Sequence, residues 1–147
     1  MTGFTARASA RQACFELLDA FKTASGQLNQ VSKARPGSYG QVPVGFVGAI
    51  RERDINRDSG LRIRTPVADV FLVFGTQDNE GTADLQDAAV DAFMDYCDQH
   101  LDQADPKTLL ELIATEDVDL SENTARGPIP YIATRCSLRL TVQEGRL

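Results

Sequence analysis

Along the first segment of the chain, Ala10, Cys14, Leu17, Leu18 and Phe21 recur at the three-and-four spacing that lines one helical face, while Arg11, Glu16, Asp19 and Lys22 fall mostly elsewhere. This predicts an amphipathic helix over residues 5–25, stopped by Gly26. Residues 27–33 have extended character without a period, and Arg35-Pro36-Gly37-Ser38-Tyr39-Gly40 is turn chemistry. Residues 42–50 are apolar but interrupted by Pro43, Gly45 and Gly48, which predicts an edge strand rather than a central one. Residues 51–60 offer little to bury and end in Ser-Gly, the texture of a hairpin tip or a mobile loop. Leu61, Ile63 and Thr65 then alternate with Arg62 and Arg64, as in a strand with one charged face. From Val67 to Phe74 the run of β-branched and aromatic residues predicts a central strand covered on both sides.

Asp78-Asn79-Glu80-Gly81 reads as a turn ahead of a second helix over residues 82–103. Asp84, Asp87, Asp91, Asp95, Asp98 and Asp102 are three or four apart, so at about 100° per residue they share an arc of about 80°. Leu85, Ala89, Phe93, Tyr96 and Cys97 lie opposite. Asp105-Pro106 has the chemistry of a third helix start, and residues 109–120 fit a short helix or a strand equally well. Residues 123–130, with Gly127, Pro128 and Pro130, read as a loop. The last element is a strand with Cys136, Leu138, Leu140 and Val142 on one face and Arg135, Ser137, Arg139, Thr141 and Gln143 on the other. Two one-sided helices and four to six strands predict a single α+β domain over residues 1–147, a mainly antiparallel sheet packed by two amphipathic helices, with a hairpin loop at 51–64.

At 147 residues and 42% apolar content the chain has enough to build one core. Its net charge of −6 conceals a division: residues 1–66 carry ten Lys/Arg against five Asp/Glu, and residues 67–147 carry five against sixteen. The total excludes a generally basic nucleic-acid coat protein, while the division leaves room for a local basic surface meeting an acidic one. The longest apolar run lies within Val70–Phe74, far short of the roughly 20 residues of a membrane span, and the N-terminus has no secretory apolar segment. The expectation is a soluble protein. Cys14, Cys97 and Cys136 are odd in number and far apart, which suits reduced, buried thiols better than disulfides or a metal site.

The inventory for catalysis is thin. His100, the one histidine, falls at the end of the second helix, where a helix-terminal or core-edge role is expected; Cys97 lies three residues before it, without an orienting third group. Nucleophile-elbow and phosphate-loop motifs are absent. Asp78-Asn79-Glu80-Gly81 resembles a calcium loop only superficially, since the glycine is misplaced and no bidentate Glu follows at the twelfth position. No catalytic residue, cofactor or metal is expected. The two charge features remain. Arg51, Arg53, Arg57, Arg62 and Arg64 form a basic cluster tempered by Glu52, Asp54 and Asp58, without aromatic residues for base stacking, so an acidic protein surface suits it better than a nucleic acid. The aspartate stripe is such a surface. A basic element on one side and an acidic helix on another can join copies head to tail, and such contacts close into rings where the rotation permits.

The order of elements completes the picture: a first amphipathic helix, the Arg35-Pro36 turn, the Pro-containing strand at 42–50, an arginine-bearing hairpin into the apolar strand Arg62–Phe74, an acidic second helix, and Tyr131-Ile132-Ala133-Thr134 before Leu138-Arg139-Leu140-Thr141-Val142. In this layout the chain resembles, over nearly its whole length, the tail terminator and tail-completion proteins of long-tailed bacteriophages. The resemblance implies an α+β fold and a non-enzymatic virion protein assembled in the host cytoplasm. It further implies a hexameric ring capping the tail tube and docking to head-completion or neck proteins, with DNA passing through the lumen without specific binding. Another neck, head-completion or adaptor assembly protein is the alternative within the same class, and an enzyme of unfamiliar type is the alternative outside it.

Overall fold

The computed structural model describes residues 6–52, 55–58, 61–100 and 108–145, with backbone alone for residues 6, 55–58, 61–64, 108–110 and 142–145. Helix α1 (Ala6–Ser25) is followed by strands β1 (Gln30–Ser32), β2 (Val44–Arg51), β3 (Ile55–Asp58), β4 (Leu61–Arg64) and β5 (Val67–Gly75), then helix α2 (Glu80–Gln99) and strands β6 (Thr108–Thr124) and β7 (Gly127–Gly145). Apart from β1 on β2, all pairings are antiparallel. The α+β expectation with two helices on a mainly antiparallel sheet is what the chain adopts.

The seven strands form one sheet in five side-by-side ribbons. One edge of β7 pairs along its length with β6, from Thr124↔Gly127 to Thr108↔Val142. The other edge pairs first with β5 and then, past Pro66, with β4. A single break at Thr65-Pro66 therefore divides one ribbon into β4 and β5, and the partner ribbon into β2 and β3. Pro66 still contributes its carbonyl, which accepts from the Leu140 amide at 2.9 Å. At 19 residues, β7 spans about 60 Å, with the β3–β4 tip at one end and the β6–β7 turn at the other.

Both helices lie on one side of this sheet. Ala10, Cys14, Leu17, Leu18 and Phe21 of α1, and Ala89, Phe93 and Cys97 of α2, pack on Val47, Ile50, Val70, Leu72, Cys136, Leu138 and Leu140. Phe21 meets Phe93 edge to face at 5.1 Å, a contact of about 0.5–1.5 kcal/mol beyond its buried area. Gly45 is the close-approach glycine of this layer: a β-carbon there would stand 3.3 Å from Leu18 and Leu28 and 3.4 Å from Leu72. Helix α1 ends as expected on Gly26, with φ +68° and its amide on the Lys22 carbonyl.

The opposite face grades from apolar to ionic. Val44, Val73, Ala133 and Val118 form one row across four strands, with Phe46, Phe71 and Tyr131 beside it and Tyr39 laid over them from the loop after β1. Further along, Asp69 accepts from Arg51 and Ser137, and Glu116–Arg135 and Glu111–Arg139 form cross-strand ion pairs. Arg135, Ser137 and Arg139 thus face away from the core, as the alternation predicted.

Four expectations change. Residues 109–120 belong to β6, a strand, because pairing with β7 decides what period alone left open. Residues 123–130 are the close of β6, a two-residue turn and the start of β7, not a loop; Gly127 has the φ of +108° that the turn requires. β2 is internal over Val44–Phe46, where β1 covers it, so it is an edge strand only beyond that point. Helix α2 starts at Glu80 on an Asn79 cap and ends at Gln99, with His100 as its C-cap. The proposed helix start at Asp105-Pro106 lies outside the described residues, and at 51–64 the hairpin is present as β3 on β4.

Candidate assembly surfaces

The α2 stripe forms because its other side is spoken for. Gln86, Ala89, Phe93 and Cys97 face the sheet, which turns Asp84, Asp87, Asp91, Asp95 and Asp98 outward. All five are exposed and none has a side-chain partner among the described residues. Asp102 lies outside the described residues. The buried face differs from the predicted one at two positions: Gln86 is buried and Leu85 is 37% exposed. Gln86 earns that place through hydrogen bonds to Asp117, Thr134 and the Ala133 carbonyl.

The basic cluster is distributed differently. Arg51 ends β2 on the helix-free face and pairs at 2.9 Å with Asp69, whose side chain is 8% exposed. Arg57 and Arg62 sit opposite one another in the β3–β4 register, Arg64 opposite Ile55, and Arg62 also opposite Glu144 of β7. Arg53 lies outside the described residues. The fold therefore brings Arg57, Arg62 and Arg64 to one end of the sheet, assigns Arg51 an internal partner, and keeps α2 over the helix-bearing face. The acidic and basic elements of one chain occupy different parts of the surface.

No protein-family model matches this chain, and neither does any curated protein. His100 caps the C-terminus of α2; its ring stacks on Tyr96 at 4.1 Å and its Nδ1 lies 2.8 Å from the Tyr96 carbonyl. Cys14, Cys97 and Cys136 are free and buried, and burial pushes the Cys14 and Cys136 thiols up to about 12 and that of Cys97 up as well. Thiols held protonated in this way are poor nucleophiles. Among the described residues no group of three or more His, Cys, Asp or Glu is placed to hold a metal ion, and no helix is long and apolar enough to cross a membrane.

Depressions indent the surface. Among the described residues, one of about 330 Å³ is lined by Arg11, Arg35, Phe46, Gly48, Phe71 and Leu120, and another, of about 220 Å³, by Asp78, Gln86, Asp117 and Asp119. In the first, the Arg11 guanidinium is occupied by the carbonyls of Lys33, Val47 and Gly48, and Arg35 by that of Ser121. These arginines fasten backbone. Neither role was legible in the sequence: a half-buried arginine on the flank of an amphipathic helix, such as Arg11, has the same pattern as a solvated one, and Arg35 lies in a turn whose acceptor is 86 residues away.

Proposed function

We propose that this chain is a structural virion protein of a long-tailed bacteriophage, a homo-oligomeric and most simply hexameric ring that caps the tail tube and joins it to neck or head-completion proteins. The observation that carries the assembly reading is the exposed stripe Asp84–Asp87–Asp91–Asp95–Asp98, five carboxylates on one helix without a partner in their own chain among the described residues. Like charges at this spacing cost a few tenths of a kcal/mol per pair, a cost that a basic surface on a neighbouring subunit reverses. The arginine-bearing β3–β4 hairpin at the end of the sheet supplies a surface of that sign. The tail-specific part of the reading rests on the layout resemblance, with which the α+β architecture agrees. In this reading the chain performs no catalysis and DNA traverses the ring without specific binding.

The test is particle mass with negative-stain imaging at low salt and at 1 M salt, where the screening length falls from about 10 Å or more to about 3 Å. Rings at low salt that dissociate at high salt are expected. A strict monomer under both conditions, with tail-tube and neck proteins also present, would overturn the reading.

A further inference from the structure

The sheet has two open sides, and parts of its exposed edge are closed by specific devices. On the outer edge of β2, Arg11 covers the Val47 and Gly48 carbonyls. Beyond the reach of β5, the β7 edge carries Pro128 and Pro130, two residues apart and opposite Asn123 and Ser121. Their missing amides spare the β6 ladder only if both face outward, where they deny a donor to any added strand. Near the turn, Arg35 covers the Ser121 carbonyl of β6. From Glu111 to Asp119, by contrast, the outer edge of β6 has no backbone partner among the described residues, and residues 113–117 are exposed, Ile113 by 43%. On the far side of the same sheet, β3 pairs, among the described residues, with β4 alone.

We propose that β3 of a second copy of this chain adds to the open edge of β6, so that one sheet continues from subunit to subunit. This rests on the ring-forming reading and specifies the contact within it. Three observations select the occupant. Residues 108–124 carry five Asp/Glu and no Lys/Arg, so pairing β6 with β6 sets carboxylates against carboxylates. With Arg51 already engaged by Asp69, the β3–β4 hairpin itself, residues 55–64, carries three Arg against one Asp, the complementary sign. Direction also agrees: β6 is antiparallel to β7, β7 to β4 and β4 to β3, so β3 runs antiparallel to β6. A neighbour in the same orientation thus presents β3 as an antiparallel strand. Because β6 and β3 lie on opposite edges, the contact is heterologous and repeats from copy to copy, closing into a ring where the rotation permits.

The edge amide of Thr115 points outward, since it shares the alternation of Ser121 and Asn123. Thr115→Pro removes that donor and leaves the β7 ladder intact. It is expected to raise the concentration for half-assembly at least tenfold, while Thr115→Val leaves it within twofold. A second measurement does not depend on the proline variant folding: Thr115→Cys and Asn56→Cys chains are mixed and treated with a short bis-maleimide. The native thiols are buried, so the expected product is a covalent dimer only in the mixture. An oligomer that persists in Thr115→Pro and gives no mixed cross-link overturns the edge contact and spares the ring reading. Cross-linking of Thr115→Cys with itself overturns the contact in favour of symmetric pairing. A wild-type chain monomeric throughout overturns both.

Discussion

The side-chain amide of Gln86, buried where α2 meets the sheet, donates to Asp117 Oδ1 of β6 at 3.0 Å. The same amide reaches Thr134 Oγ1 at 2.8 Å, and the Thr134 hydroxyl donates to Asp117 at 2.9 Å, closing a triangle across three elements. Gln86→Leu is expected to lower the unfolding free energy by about 1 kcal/mol in urea titration. The stronger test is a double-mutant cycle with Asp117→Ala, for which a coupling of at least about 0.5 kcal/mol is expected. Additive losses would mean that the triangle does not act as a unit.

The cysteines set an alkaline limit to stability. In the unfolded chain their thiols titrate near 9.0, whereas burial holds those of Cys14 and Cys136 up to about 12. Between these values the unfolded state has released protons that the folded state retains, so stability is intact below about pH 9 and falls as pH rises toward 12. The urea midpoint should decline between pH 8.5 and 10.5, less steeply in Cys14→Ala, and a thiol reagent at pH 8 should label the chain only in denaturant. Rapid labelling of the native protein would contradict the buried placement.

Arg11 protects an edge as well as holding it. Its guanidinium donates to the carbonyls of Lys33 at 2.7 Å, Val47 at 3.3 Å and Gly48 at 3.1 Å. Arg11→Ala keeps good helix propensity in α1 but uncovers those acceptors, so a loss of about 1–3 kcal/mol is expected together with concentration-dependent aggregation in light scattering. If the variant loses stability yet stays clear at high concentration, the edge is protected by something other than this side chain.

What was legible in the chain follows from periodicity. α1, α2, the Val67–Phe74 strand and the alternation of β7 each carry enough apolar positions to fix a face without help from neighbours, and the burial of Cys14, Phe21, Phe93, Cys136, Leu138 and Leu140 agrees. β6 was not legible, because its leucines fit a short helix while Ile113, Thr115 and Val118 fit a strand, and only the register against β7 decides. Pro128 and Pro130 read as breakers; they sit in a strand because no strand adds on their outer side. Leu85 was read onto the apolar face of α2 and is exposed, while the neighbouring Gln86 is buried through acceptors 31 and 48 residues away, which no local pattern shows. Five of the six aspartates of the stripe, Asp84 to Asp98, were legible as surface, since a helix with one apolar face turns its other side outward; Asp102 lies outside the described residues.

Gly48 marks a tight crossing on the helix-free face. A β-carbon there would stand 2.5 Å from Phe71 Cε2 and 3.2 Å from the Asp69 carbonyl oxygen, beside the irregularity in the β2–β5 register. The ring can swing away, but the carbonyl belongs to the ladder. Gly48→Ala is therefore expected to cost about 1–3 kcal/mol and to disturb the stack of Phe46 on Phe71, whose centroids are 5.1 Å apart. A variant as stable as the parent would show that the bulge has room to relax.

Stability and assembly should respond in opposite directions to changes in the α2 stripe. Asp87, Asp91 and Asp95 are successive like charges at four-residue spacing, and the last turn of the helix has no basic residue to oppose its dipole. Asp91→Lys converts two repulsive pairs into attractive ones, which should raise the unfolding free energy of the monomer by roughly 0.5–1 kcal/mol at low salt. The same substitution removes two units of negative charge from the surface offered to a neighbour, so ring formation should weaken. Thermal melting at 10 mM and 500 mM salt, read beside particle mass, separates the two effects. A variant that gains stability and assembles unchanged would remove the stripe from the subunit interface and leave it a solubility feature, with the β6 edge carrying the contact alone.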